Sequence, residues 1–163
     1  MMKTSHISAL CVAVLLSTFQ LSALAADAVE VKTVAEHDVS TVSNGKKQVR
    51  RVPVDKAVPG EEIIYTTTFK NQTGKPAGNI AITNPVPNDS IYKVGSAVGV
   101  NTVIAFSVDG GKIYAAPDQL TVKTKEGAAR PAQPADYTHI RWTYKGELGA
   151  GKSGSVSFRA IIK

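Results

Sequence analysis

Four cations stand close together at Lys46, Lys47, Arg50 and Arg51, just after an Asn44-Gly45 pair. Such a cluster offers contacts to phosphate or carboxylate; it also suits a solvated strand edge whose charges discourage sheet-to-sheet association. Aromatic side chains do not interleave with it, so it lacks the stacking surface that single-stranded nucleic acid requires. Gly146-Glu147-Leu148-Gly149-Ala150-Gly151-Lys152-Ser153 fits the spacing of a phosphate-binding loop. That loop works only when it follows a parallel strand and opens a helix, aiming backbone N–H groups at the phosphate. Here Ser155-Val156-Ser157-Phe158-Arg159 alternates as a strand, which reduces the glycines to a hairpin turn. Asp109-Gly110-Gly111 sets an acid beside two glycines, but calcium takes six to eight oxygens and the acid spacing of an EF-hand is missing, so turn chemistry is expected.

Hydrolytic catalysis needs a nucleophile, a base within reach and a group to orient the base. Beyond residue 25 the histidines are His37 and His139, in neither H-x-x-x-H nor H-E-x-x-H spacing, and Ser96 in Gly95-Ser96-Ala97-Val98-Gly99 sits one place too early for a nucleophile elbow. The reading is therefore a chain with no catalytic set, no metal set and no cofactor site. Trp142 could stack on a sugar ring; sharing a strand face with Ile140, it is expected in the core instead.

The elements that would position these residues are strands. After Pro59-Gly60, Ile63, Tyr65, Thr67 and Phe69 recur at period two, the mark of a strand with one side on a core. Asn71 to Pro76 supplies turn residues, and Ile80 and Ile82 restart the alternation until Pro85 and Pro87, which lack a ladder donor, so that strand must stop or lie at an edge. Before this stretch, Val29 to Val34 alternates and could pair at an edge. Asn44-Gly45 suits a type I′ turn between Val39–Val42 and Gln48–Val54. After it come Ser90–Ser96, Val103–Val108 with a return through Tyr114, Leu120–Lys123, Tyr137–Tyr144 and Ser153–Lys163. A proline-stiffened loop over 127–136 interrupts them. About seven to nine short strands with no long helical period predict an all-β fold of two packed antiparallel sheets.

The order Pro59-Gly60-Glu61, Tyr65, Asn71 and Asn84-Pro85-Val86-Pro87 resembles the DUF11 family, an immunoglobulin-like β-sandwich module of bacterial surface, cell-wall and periplasmic proteins. The likeness continues in Ser107-Val108-Asp109-Gly110-Gly111, Ile140-Arg141-Trp142-Thr143 and Leu148-Gly149-Ala150-Gly151-Lys152-Ser153. It implies the sandwich and a place in the cell envelope, and no particular chemistry.

Lys3, an apolar segment from Ile7 to Leu16 and the small residues ending Ala23-Leu24-Ala25 read as a secretory signal helix cleaved after Ala25. Gln20 breaks the apolar run before it reaches the length of a membrane span, and Cys11 lacks the residues that precede a lipidated cysteine. Residues 26–57 would then form an N-terminal strand and hairpin of the same domain as the sandwich of 58–163. Cys11 is the only cysteine, so the exported product would rely on burial alone. The whole chain of 163 residues carries a net charge of +6, and without Lys3 its 18 basic residues face 13 acidic ones. That modest excess favours anionic surfaces without selecting a fold. The expectation is an exported, non-catalytic structural or adhesive module, periplasmic or at the cell surface, contacting another cell-envelope protein. A second reading is a binder of anionic glycan or lipid through Lys46, Lys47, Arg50 and Arg51. Nucleic acid is not expected as a partner, nor a transmembrane segment after cleavage.

Overall fold

The structure, a computed structural model, describes residues 29–43 and 45–163. The expected signal segment over 1–25 and Asn44 of the hairpin turn lie outside the described residues.

Among the described residues eleven strands follow one another: β1 (Val29–Ser43), β2 (Lys46–Pro53), β3 (Glu62–Asn71), β4 (Ala81–Pro85), β5 (Ser90–Tyr92), β6 (Val98–Gly99), β7 (Thr102–Ser107), β8 (Thr121–Lys123), β9 (Ala129–Pro131), β10 (His139–Tyr144) and β11 (Ser153–Ile162). All pairings between them are antiparallel. The count exceeds the seven to nine expected: β8 answers to the expected Leu120–Lys123, whereas β6 and β9 are two- and three-residue ladders too short for alternation to show, and β9 lies within the segment 127–136 expected as a loop. Conversely, Lys112 to Tyr114 forms no strand, and only Ala115 bridges back to Phe106.

One sheet has the order β2-β1-β3-β11-β5, with β6 also on β11; a second has the order β4-β10-β7, and β8 pairs β9 apart from both. The two larger sheets share a core. Period-two alternation sends Val156, Phe158 and Ala160 of β11 inward to meet Ile140 and Trp142 of β10, all of them buried. Aromatic rings span the gap: Trp142 lies 6.1 Å from Phe158, Phe69 meets Tyr144 edge-on at 5.8 Å, and Tyr92 sits 5.1 Å from Phe106. At Gly154 a Cβ would come within 2.3 Å of the Phe69 ring, so close approach fixes glycine there. A polar line also crosses the layers: buried Asn84 of β4 donates to Thr67 Oγ1 of β3 at 2.6 Å, and Thr67 lies 2.8 Å from Thr33 of β1.

β4 ends at Pro85 as one edge strand of its sheet, β7 is the other, and β10 is the central one. The first strand departs from its expected place. Val29–Glu36 pairs with β3, Glu36–Ser43 pairs with β2, and the expected edge passes from β1 to β2. The two apolar runs at Val29–Val34 and Val39–Val42 are one strand because Ala35 to Asp38 between them continue the ladder, with no glycine or proline to break it.

Candidate functional site

The second half of β1 and the whole of β2 form an arm. Glu36 lies opposite Ile64, and β3 starts only two residues earlier, so the hairpin beyond Asp38 runs past the body of the sheet. At its tip Ser43 pairs with Lys46, and Gly45 has φ 72°, the positive value a tight hairpin turn demands. Every residue of β2 is exposed except Val52, which is half-buried. Apolar side chains are left in solvent on this arm: Val42 is 76% exposed and Val49 60%.

Charged side chains clamp the root of the arm on both faces. On the inner face His37 Nδ1 meets Glu61, whose other oxygen accepts the Val58 backbone N–H at 3.1 Å. The histidine bond, and then that N–H, hold the Glu61 carboxyl below the usual carboxylate range. On the outer face Asp38 is approached at 3.4 Å by both Arg51 and Arg159. Arg159 also donates to Glu62 at 2.6 Å, and Lys93 bonds the same carboxylate. Lys93 first, and Arg159 second, lower the Glu62 pKa. All of these side chains reach solvent, which screens the pairs, so each adds little to stability.

The four cations singled out in the sequence all lie on β2, yet they do not converge. Alternation sends Lys47 and Arg51 to the face that carries Asp38, and Lys46 and Arg50 to the face that carries His37. Arg51 is engaged by Asp38, whereas Lys46, Lys47 and Arg50 make no ion pair among the described residues. The ladder adds something composition could not reveal. Val54 N donates to Ala35 O, so Val52, Arg50, Gln48 and Lys46 bond toward β1, and the N–H and C=O of Lys47, Val49 and Arg51 point away from it. No strand pairs with that outer edge among the described residues.

The remaining motifs resolve into structure. Gly146–Ser153 links β10 to β11 and opens a strand. The wholly buried Asn71 side chain donates to Leu148 O (2.8 Å) and Gly149 O (3.2 Å), so carbonyls gather around an amide where a phosphate cradle would gather N–H groups. Asp109 Oδ1 accepts Ser107 Oγ (2.7 Å) and the N–H groups of Lys112 and Ile113 (3.0 Å each), and the serine bond leads in lowering its pKa. Trp142 is 0% exposed, out of reach of any sugar, and its Nε1 finds no acceptor among the described residues. His139 lies 3.2 Å from Thr138 Oγ1. His37 does meet a carboxylate, a base-and-orienter pair that long-range folding creates and spacing does not betray.

Two clefts lie beside the core, about 260 Å³ next to Tyr92, Ile104 and Tyr137, and about 280 Å³ next to Thr33, Tyr65 and Asn84. Both fall just under the roughly 300–1,000 Å³ of small-molecule sites, and their linings are mainly apolar without a converging charged group. No group of three or more His, Cys, Asp or Glu is placed to hold a metal among the described residues, and no described helix is long and apolar enough to cross a membrane. No family model matches the chain, and no curated protein matches its sequence.

Proposed function

We propose that the protein is an exported, non-catalytic module of the cell envelope, an immunoglobulin-like β-sandwich of the DUF11 kind, that docks on another envelope protein through the β1–β2 arm. The observation that carries this reading is the arm itself: a hairpin with both faces exposed, valines in solvent and an outer ladder that no strand among the described residues pairs. A two-stranded hairpin is at best marginally stable in water, and this one gives almost nothing to the core. Covering it would bury apolar area and complete a ladder, and sheet edges are a recurrent mode of chain-to-chain recognition. The export signal expected in the sequence and the envelope setting of the resembled family supply the compartment.

The test is site-specific photo-cross-linking in living cells. A photoreactive residue at Val42 or Val49 should yield an adduct of one defined mass, while one at Ile113, an exposed site away from the arm, should not. Equal labelling from all three positions, or none from the arm, would remove the docking role.

The second reading, attraction to anionic glycan or lipid, draws on Lys46, Lys47 and Arg50, which make no ion pair among the described residues. A planar anionic surface laid on either face of the arm meets two of the four cations, and contact of that kind weakens steeply with salt. Retention on cell-wall material that vanishes at raised ionic strength would favour it over docking.

A further inference from the structure

We propose that the outer edge of β2 accepts an acidic, extended segment of its partner as an added strand, with two acids four residues apart and an apolar residue midway between them. This rests on the docking role of the arm and specifies the chemistry of what docks.

Three observations converge on it. First, the ladder: Lys47, Val49 and Arg51 turn their N–H and C=O groups outward, while Pro53 offers a carbonyl and no donor, so the added strand would end there. Second, the face: those same three residues project their side chains to one side in the order cation, valine, cation, with Val49 60% exposed between the charges. The complement is acid, apolar residue, acid at alternate positions of the incoming strand, since side chains directly opposite each other interact across a ladder. Third, a second copy of this chain is a poor occupant. Antiparallel self-pairing centred on Val49 would set Lys47 opposite Arg51 of the other copy on both sides of the centre, and like charges directly opposite are destabilising. Lysine and arginine on an edge commonly keep strands apart. Against an acidic strand the same charges attract, so the edge excludes its own kind and admits the complement. Asp38, the one carboxylate on Arg51, lies 3.4 Å away on an exposed face, a weak contact that an incoming acid can replace.

The probe is a capped heptapeptide, Thr-Glu-Thr-Val-Thr-Glu-Thr, titrated by NMR against the protein beside the same peptide with lysine for both glutamates. The glutamate peptide should bind at least tenfold more tightly and shift the amides of Lys47, Val49 and Arg51 most. Two variants separate the ladder from the charge. Val49→Pro removes an outward N–H that β1 does not use, so the hairpin persists while binding falls at least tenfold. Lys47→Glu keeps the ladder and should move the preference toward the lysine peptide. Equal binding of the two peptides would overturn the acid preference; undiminished binding by Val49→Pro would overturn strand addition and leave charge attraction alone. If neither peptide binds while the Val42 cross-link still forms, this inference fails and the docking role stands; loss of both defeats both.

Discussion

Trp142 and Asn71 show what single side chains contribute. Trp142 fills the space between the sheets, so Trp142→Ala should cost about 3–5 kcal/mol in chemical denaturation. Its indole N–H is buried without an acceptor, which ordinarily costs about 1–3 kcal/mol. Trp142→Phe, removing that donor and keeping an aromatic ring, should therefore lose far less than the alanine variant; equal losses would show that the donor is satisfied. Asn71 joins two turns: its amide donates to Lys75 O at 2.7 Å and to Leu148 O, and its Oδ1 accepts Thr73 N at 2.9 Å. Asn71→Ala strands several buried polar groups at once and should cost on the order of 3 kcal/mol, measured by the same unfolding curves. The burial of Trp142 was legible from its face-sharing with Ile140. The role of Asn71 was not, because its partners at Leu148 and Gly149 come from a distant turn, and nothing local tells a strand-ending asparagine from one that knots two loops.

At the level of elements, the hairpin combines local signals with a placement that only the whole sheet decides. Asn44-Gly45 announced the turn, and the flanking alternation announced two strands. Which of them would be the edge depended on β3 pairing with the first half of β1, a contact 28 to 42 residues apart in the chain. The cationic site was legible as a cluster and illegible as geometry: its residues share a strand, and alternation splits them between two faces. Hydrogen exchange should display the ladder directly. The amides of Gln48, Arg50 and Val52, bonded to β1, should exchange more slowly than those of Lys47, Val49 and Arg51, and all six faster than those of Ile63 to Phe69 in β3. Uniform protection along β2 would mean that its outer edge is covered by something else.

Across the whole molecule, charge and packing divide the work. The core is apolar and crosses both sheets, whereas the carboxylates Glu61, Glu62, Asp109 and Asp136 sit in hydrogen-bonded pairs at the periphery and titrate below their usual range. For Asp136 the leading cause is Arg130, whose two terminal nitrogens reach its oxygens at 2.7 and 2.8 Å. A carboxyl with a depressed folded pKa adds stability that is complete above its unfolded value, about 4, and is lost as pH falls through the folded value. Stability should thus be flat on the acid side of neutrality and decline below about pH 4. Glu62→Gln should make that decline shallower, read from denaturation midpoints at successive pH values. An identical slope in the variant would show that the Lys93–Glu62–Arg159 cluster contributes nothing.

The claim that the arm belongs to recognition and not to the fold is tested most directly by removing it. A chain in which a short glycine linker replaces residues 38–51 loses exposed valines and exposed ion pairs, so its unfolding free energy in denaturant should fall by no more than about 2 kcal/mol. Its two core sheets should keep their β signal. Collapse of the shortened chain into an unfolded or aggregated state would contradict the account, because the hairpin would then be part of what holds the sheets together.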